Sequence, residues 1–219
     1  MKKIFITLSV ITVFTLASCG GGEKTETTEN QAASTPAEET CFYSYNEAAG
    51  AQVRWTAFKT TAKKPVGGQF DQVNVSGGER STKITDVLRT IKFNIPTAST
   101  NTANEDRNAK IVKYVFGTMN ATDLIIGQVK DANGDNQSGT CTFYLTLNNV
   151  EREVILDYTI EDALLKLTGE IDLVDFKAEN AVSAINKACE DLHKGEDGIS
   201  KTWSVVELSI ETTLSKKCH

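Results

Sequence analysis

The side chains that could carry out nucleophilic catalysis are few in this 219-residue chain. It contains two histidines, His193 and His219, and no Gly-x-Ser-x-Gly segment that would expose a serine on a sharp turn. A hydrolase would need a histidine beside a nucleophile and an orienting acid, whereas His193 lies near the end of a predicted helix. We interpret Asp106 and Arg107 as an ion pair or cap of a short helix, the alternative being a catalytic pair. The sequence therefore predicts no catalytic residue and no enzyme activity.

The segment DANGDNQSG, 131–139, has the alternating oxygen ligands of a calcium loop in Asp131, Asn133 and Asp135. In a calcium loop of the EF-hand type, glycine holds the sixth position and glutamate the twelfth. Here glycine holds the fourth position and Thr142 the twelfth, so we interpret the segment as a polar hairpin turn. The cysteines are far apart and form no Cys-x-x-Cys pair. The sequence therefore predicts no metal site and no cofactor.

Cys19 follows a segment typical of export, MKKIFITLSVITVFTLASC. Two lysines precede an apolar run that is too short to span a membrane, and the final Leu-Ala-Ser-Cys resembles a bacterial lipobox. The resemblance implies cleavage before Cys19 and acylation of that cysteine, which would anchor the protein to a membrane. The alternative is an ordinary signal peptide with an accidental cysteine. We expect a lipoprotein signal peptide at 1–18 and a location in the bacterial cell envelope, facing the periplasm or the outside.

The four remaining cysteines predict two disulfide bonds, because an even number of cysteines in an exported domain is typical of such bonds. The alternatives are free thiols and a metal site. Closure of a barrel would bring the first and last strands together, which favours Cys41–Cys218 with Cys141–Cys189. The pairing of Cys41 with Cys141 and of Cys189 with Cys218 stays open.

Composition divides the rest of the chain into a tether and a domain. Residues 20–40 contain no aromatic residue and no Leu, Ile, Val or Met, so we interpret 19–40 as a lipidated cysteine followed by a flexible acidic tether. Residues 41–219 are long enough for one domain with a sizeable core. The net charge of −6 and the lack of a basic run exclude nucleic acid as an expected partner.

Alternation of apolar and polar residues predicts antiparallel strands, each with one dry face and one wet face. The segments that alternate are AQVRWTAFKT, ITDVLRTIKFNI, TCTFYLTLNNV, REVILDYTI, ALLKLTGEIDL and WSVVELSIETTL. Two segments predict helices instead: 101–116, with a capping box that begins near Thr102, and 178–195, with Gly195 as its C-cap. We expect an all-β, eight-stranded antiparallel barrel with one or two short helical inserts.

The same alternation predicts which side chains face the interior of the barrel. A barrel of eight strands is just wide enough to be filled by side chains or to hold one slender ligand. We expect a narrow apolar pocket, the alternative being a solid core. The predicted ligand-binding residues are Val53, Trp55, Phe93, Ile95, Phe143, Leu145, Leu156 and Tyr158.

Four segments in order along the chain resemble the YceI-like family of lipocalin-resembling, polyisoprenoid-binding proteins. They are VRWTAFKTTAKKPVGGQFDQV, IKFNIPTASTNTANEDRNAKI, LTLNNVEREVILDYTI and KTWSVVELSIETTL. Two departures from the family pattern are Asp106-Arg107-Asn108 in place of Arg-Asp and Asn148-Asn149-Val150 in place of a Gly-Val turn, and both positions are interpreted as structural.

The resemblance implies that 41–219 is a YceI-like β-barrel domain that holds an isoprenoid chain, such as a quinone tail, or another long lipid. We therefore expect a membrane-anchored lipid-binding protein whose partners are that lipid and, through Cys19, a membrane. The alternatives are a hydrolase or isomerase on the same scaffold, and a filled barrel that serves protein contact.

Overall fold

The computed structural model describes residues 39–219, and strands dominate them. The signal peptide, Cys19 and nearly all of the tether lie outside the described residues. The strands are β1 (Cys41–Ser44), β2 (Gln52–Lys59), β3 (Lys64–Phe70), β4 (Asn74–Ser76), β5 (Lys92–Pro96), β6 (Thr100–Asn101), β7 (Leu124–Gly134), β8 (Ser138–Leu147), β9 (Val150–Glu161), β10 (Leu164–Asp172), β11 (Thr202–Thr213) and β12 (Ser215–Cys218). The helices are α1 (Ile84–Arg89), α2 (Glu105–Tyr114), α3 (Glu179–Ala188) and α4 (Glu190–His193).

Ten strands form one antiparallel sheet in the order β4-β5-β7-β8-β9-β10-β11-β2-β3-β6. The sheet curls into a half-barrel of the lipocalin-like kind, which confirms the predicted fold class. Eight of its strands have five or more residues, whereas β4 has three and β6 has two and they lie at the two ends of the sheet. The strands β1 and β12 pair separately as a two-stranded sheet. Short edge strands offer little unpaired backbone to a second chain.

The predicted alternation is visible in the middle of the sheet. Along β8 the side chains of Cys141, Phe143, Leu145 and Leu147 are buried, and the residues between them are partly exposed. Val154, Leu156 and Tyr158 on β9 alternate in the same way. Because successive side chains of a strand point to opposite faces, these residues share the inner, apolar face of the half-barrel.

The segment predicted as one strand around Val87 and Ile91 is in fact a helix followed by a strand. Ile84, Val87 and Leu88 are 0%, 0% and 3% exposed, and their i, i+3, i+4 spacing places them on one face of α1. Arg89 at the end of α1 donates to the carboxylate of Asp131 and to the carbonyl oxygen of Ala132 on β7. The helical spacing therefore outweighs the alternation over Ile84–Arg89, and the strand begins only at Lys92.

Both predicted helical segments contain helices, with different boundaries. Asn104 caps α2 by accepting a hydrogen bond from the backbone N–H of Arg107, so the capping box predicted at Thr102 is wrong. The second segment contains two helices, α3 and α4, with Cys189 between them. Among residues 39–219, no helix is long and apolar enough to span a membrane.

Candidate functional site

All eight predicted ligand-binding residues lie on the inner face of the half-barrel. Six are buried, and Trp55 and Phe93 are half-buried. The structure gathers them into two apolar clusters. Cluster 1 includes Phe143, Leu145, Leu156 and Tyr158, and cluster 2 includes Val53 and Ile95, with Trp55 packed against them. Phe93 packs against both clusters. Whether these side chains contact a ligand stays a prediction.

A set of apolar side chains links the two clusters and is only partly buried. The linking residues are Phe93, Phe116, Ile125 and Ile210. The strand register places Ile125 opposite Ile95, and Ile210 opposite Val53, so both share the inner face with buried neighbours. The inner face thus has two buried apolar clusters. Between them lies an apolar region that solvent partly reaches. We call this region, defined by these four residues, the inner apolar surface.

Two glycines position the aromatic rings of the inner face. A Cβ atom on Gly68 would lie 2.3 Å from the Trp55 ring, and one on Gly127 would lie 2.1 Å from the Phe93 ring. Gly68 is opposite Trp55 and Gly127 is opposite Phe93 in the strand register. Each ring therefore occupies the space that a side chain on the opposite glycine would fill. Neither glycine was among the site residues predicted from the sequence.

The interior contains few polar groups and no charge. Besides two tyrosines and two cysteines, the buried residues with polar side chains among residues 39–219 are threonines and one asparagine. Tyr158, which is 1% exposed, donates its hydroxyl to the carbonyl oxygen of Asp135 at 2.7 Å, and burial raises the pKa of its phenol. Because a buried charge without a partner is very costly, this interior suits an uncharged, largely apolar molecule.

One of the two predicted disulfide bonds is confirmed and the other is wrong. Cys41 and Cys218 form a disulfide bond that joins β1 to β12. Cys141 and Cys189 are buried free thiols, so the second predicted bond is wrong. The side chain of Cys141 lies on the inner face of β8 opposite Leu156, whereas Cys189 follows a surface helix. Burial raises the pKa of Cys141 to about 12, so this thiol is protonated and unreactive at neutral pH.

His193 forms part of a hydrogen-bonded chain that joins three elements of the fold. Its Nδ1 lies 2.7 Å from the hydroxyl of Thr202, which donates to the side-chain oxygen of Asn186. Burial, together with the charge of Lys59, lowers the pKa of this imidazole. The chain His193–Thr202–Asn186 joins α4, β11 and α3, and it offers neither the acid nor the activated nucleophile of a hydrolase.

Asp131 and Asp135, the two acidic residues of the segment that was compared with a calcium loop, make hydrogen bonds within the fold. Asp131 accepts from Arg89, which holds the pKa of its carboxyl below the usual range. Asp135 accepts from the backbone N–H groups of Gln137 and Ser138, and its pKa is lowered as well. The Asp131 contact joins β7 to α1, and the Asp135 contacts form the turn between β7 and β8, so the interpretation of 131–139 as a hairpin is confirmed.

The two departures from the family pattern have structural partners. Asn108 accepts hydrogen bonds from the backbone N–H and the hydroxyl of Thr102. Asn148 and Asn149 have φ angles of +54° and +55°, as the central residues of a type I′ turn require. The side chain of Asn148 also donates to the carbonyl oxygens of Phe176 and Lys177. Asn149 thus stands in the glycine position before Val150, and the neighbouring Asn148 ties the turn to the segment that precedes α3.

The curled antiparallel sheet and its apolar inner face define the class of this protein as lipocalin-like. Within that class the chain belongs to the family of proteins with a YceI-like domain, because the family model matches residues 43–214. No curated protein matches the chain.

Solved structures share the fold at low sequence identity. A polyisoprenoid-binding domain from Saccharophagus degradans, implicated in plant cell wall breakdown, is 13% identical with a TM-score of 0.55, over 82% of this chain and 100% of the other. BcnA from Burkholderia cenocepacia is 14% identical with a TM-score of 0.51, over 76% and 96% of the two chains. At these identities the likeness shows the fold alone.

Proposed function

We propose that this protein binds a polyisoprenoid, such as the tail of a quinone, or another long-chain lipid within its half-barrel. The inner apolar surface carries the proposal, because partly exposed Phe93, Phe116, Ile125 and Ile210 lie between two buried clusters. An apolar surface that water reaches inside a curled sheet is stabilised when a hydrocarbon chain covers it, by about 25 cal/mol for each Å² buried. Membership of the YceI-like family and the polyisoprenoid-binding relative support the same function.

The surroundings of the histidine and of the carboxylates support a role in lipid binding and not in catalysis. His193 has a hydroxyl and an amide as its neighbours, and the carboxylates near the β7–β8 turn bond to Arg89 and to backbone groups. The interior itself holds no charged side chain among residues 39–219. These arrangements favour a carrier or store of an uncharged lipid over a hydrolase or isomerase.

A pair of adjacent residues on β7 provides a test of lipid binding. Ile125 is partly buried on the inner face, and Ile126 is 52% exposed on the outer face. Ile125→Trp places a larger side chain against the inner apolar surface, so we expect uptake of a long isoprenoid quinone from vesicles to fall at least about tenfold, since an overfilled apolar site is costly. Uptake is measured as lipid bound to protein after the vesicles are removed.

Ile126→Trp is the matched control, because it adds the same volume on the opposite face of the same strand. We expect uptake by this variant to equal that of the unmodified protein. Equal uptake by the Ile125→Trp variant, with its fold intact, would show that the lipid does not enter the half-barrel.

We also propose that an acylated Cys19 holds the domain at a membrane of the bacterial cell envelope, with the domain facing the periplasm or the outside. Long apolar lipids reside in membranes, so a protein that takes them up is useful near a bilayer. In the native host, Cys19→Ser should move the protein from the membrane fraction to the soluble fraction with its thermal unfolding unchanged. A Ser18→Gly variant, which keeps the cysteine and a small residue before it, serves as the control. Membrane attachment by the Cys19→Ser variant would contradict the anchor.

A further inference from the structure

Thr100 has a buried hydroxyl with no partner. Its side chain is 4% exposed, and within residues 39–219 its Oγ1 is the one buried side-chain polar atom without a hydrogen bond. Neighbouring buried threonines are paired: Thr97 donates to the carbonyl oxygen of Thr122 at 2.7 Å, and Thr122 donates to that of Phe116 at 3.0 Å. A buried hydroxyl that makes no hydrogen bond destabilises the fold, so this exception needs an explanation.

The register of three strands places Thr100 on the inner face. Val53 on β2 is opposite Phe70 on β3, and Phe70 is opposite Thr100 on β6. Directly opposite residues of antiparallel strands point to the same face, and Val53 and Phe70 both belong to cluster 2. The next pair along β3 and β6 faces outward, since Asn101 bonds to exposed Asp71. Thr100 is therefore a polar position at one end of an apolar inner row.

The surroundings determine what such a hydroxyl can bind. No Lys, Arg, His, Asp or Glu side chain is buried among residues 39–219, so nothing buried could neutralise a phosphate or carboxylate beside Thr100. A threonine hydroxyl donates one hydrogen bond and accepts others. The matching group is an uncharged oxygen, either a carbonyl or a hydroxyl, on a molecule that is otherwise apolar.

We propose that Thr100 binds the neutral carbonyl or hydroxyl oxygen of a long-chain lipid and thereby selects oxygen-bearing lipids over pure hydrocarbons. This inference rests on the proposed function. The Thr100 oxygen is sealed in the unliganded domain, so a neighbouring side chain must move when the lipid enters. Phe116 is suited to that movement, because it is partly exposed, lies on a short 3-10 turn and contacts Phe70 with a centroid distance of 6.4 Å.

The test measures how much of two lipids of similar apolar length the full-length protein binds. One is a quinone with a long isoprenoid tail, and the other is squalene, an isoprenoid hydrocarbon without oxygen. Each is offered in phosphatidylcholine vesicles, and the lipid bound to the protein is quantified after sedimentation of the vesicles. Thr100→Val is nearly isosteric and removes only the hydroxyl. We expect this variant to bind the quinone about threefold to tenfold more weakly, the loss of one hydrogen bond, and squalene as before.

Two further variants separate a binding role from a structural role. Thr100→Ser keeps the hydroxyl and should retain the preference for the quinone. Thr97→Val removes a hydroxyl that is already paired, so it should lower the Tm and leave the preference unchanged. In the unliganded protein, Thr100→Val should raise the Tm, because it removes an unpaired buried polar group.

Three results would overturn the inference. They are equal binding of the quinone by Thr100→Val and the unmodified protein, an equal loss of both lipids in that variant, and a lack of preference for the quinone in the unmodified protein. If the unmodified protein binds neither lipid, the proposed function fails and this inference fails with it. If it binds squalene and the quinone equally, lipid binding stands and only the role of Thr100 is lost.

Discussion

The rings of Trp55 and Phe93 fit on the inner face because the residue opposite each of them is a glycine, which has no side chain. Each ring lies over a glycine, Gly68 in one case and Gly127 in the other, and the hypothetical Cβ contacts are shorter than 2.5 Å. Each ring is half-buried and packs against the neighbouring strand, which suits the wall of the proposed lipid site. The two glycines are therefore as much a part of the candidate site as the aromatic residues.

Gly67 and Gly68 allow this role to be tested at adjacent positions. A Cβ on Gly67 would meet only the backbone oxygen of Trp55, at 3.8 Å, whereas one on Gly68 would enter the Trp55 ring. We expect Gly68→Ala to displace the ring, to destabilise the fold by about 1–3 kcal/mol, and to shift the fluorescence of Trp55. The fluorescence is measured with Trp203 replaced by Phe, so that Trp55 is the only indole.

Gly67→Ala is the control and should leave both the Tm and the emission spectrum nearly unchanged. An unchanged spectrum in the Gly68→Ala variant would mean that the ring does not depend on this glycine.

At the residue level, sequence alone predicts the face on which a side chain lies but not how deeply it is buried. Period-2 alternation placed Val53, Trp55, Leu156 and Tyr158 on one face, and the structure has them there. Their exposure depends on how the sheet curls and on what covers it, which no local pattern encodes. For the same reason, the unpaired hydroxyl of Thr100 could not be predicted from the sequence, because the presence or absence of a hydrogen-bond partner depends on the tertiary structure.

Among the elements, α1 shows how two periodicities compete in one segment. Val87, Ile91, Phe93 and Ile95 share the parity of a strand, but Ile84, Val87 and Leu88 also share a helical face. The helix forms because α1 packs against β7 and places all three of these side chains in cluster 1. By contrast, Asn148-Asn149 could be predicted as a turn, because asparagine tolerates positive φ angles far better than most other residues.

The packing of α1 can be tested by truncation of one buried side chain. Leu88 is 3% exposed and lies in cluster 1. Leu88→Ala should destabilise the domain by about 2–5 kcal/mol, since it leaves a cavity in a packed core, as measured by urea unfolding. Lys83→Ala is the control: Lys83 is exposed at the start of α1 and makes no side-chain cap bond. Equal stability of the two variants would show that α1 is not part of the core.

At the scale of the whole molecule, the chain was predicted as a closed barrel with two disulfide bonds. The fold class is confirmed, but the hydrogen-bonded ladder ends at the short strands β4 and β6. Strand closure is a long-range property that composition and periodicity do not contain. Counting cysteines likewise could not show that Cys141 points into the core while Cys41 and Cys218 meet across β1 and β12.

The central claim is that the half-barrel holds one long-chain lipid, and the most direct measurement is the lipid content of the protein itself. The full chain is isolated from its native host with mild detergent, exchanged into detergent-free buffer, extracted with organic solvent and analysed by mass spectrometry. The Ile125→Trp and Ile126→Trp variants are treated in parallel. We predict about one uncharged long-chain lipid per protein in the unmodified chain and in the Ile126→Trp variant, and almost none in the Ile125→Trp variant. Protein that contains no such lipid and takes up none from vesicles, or equal lipid content in all three proteins, would contradict the account.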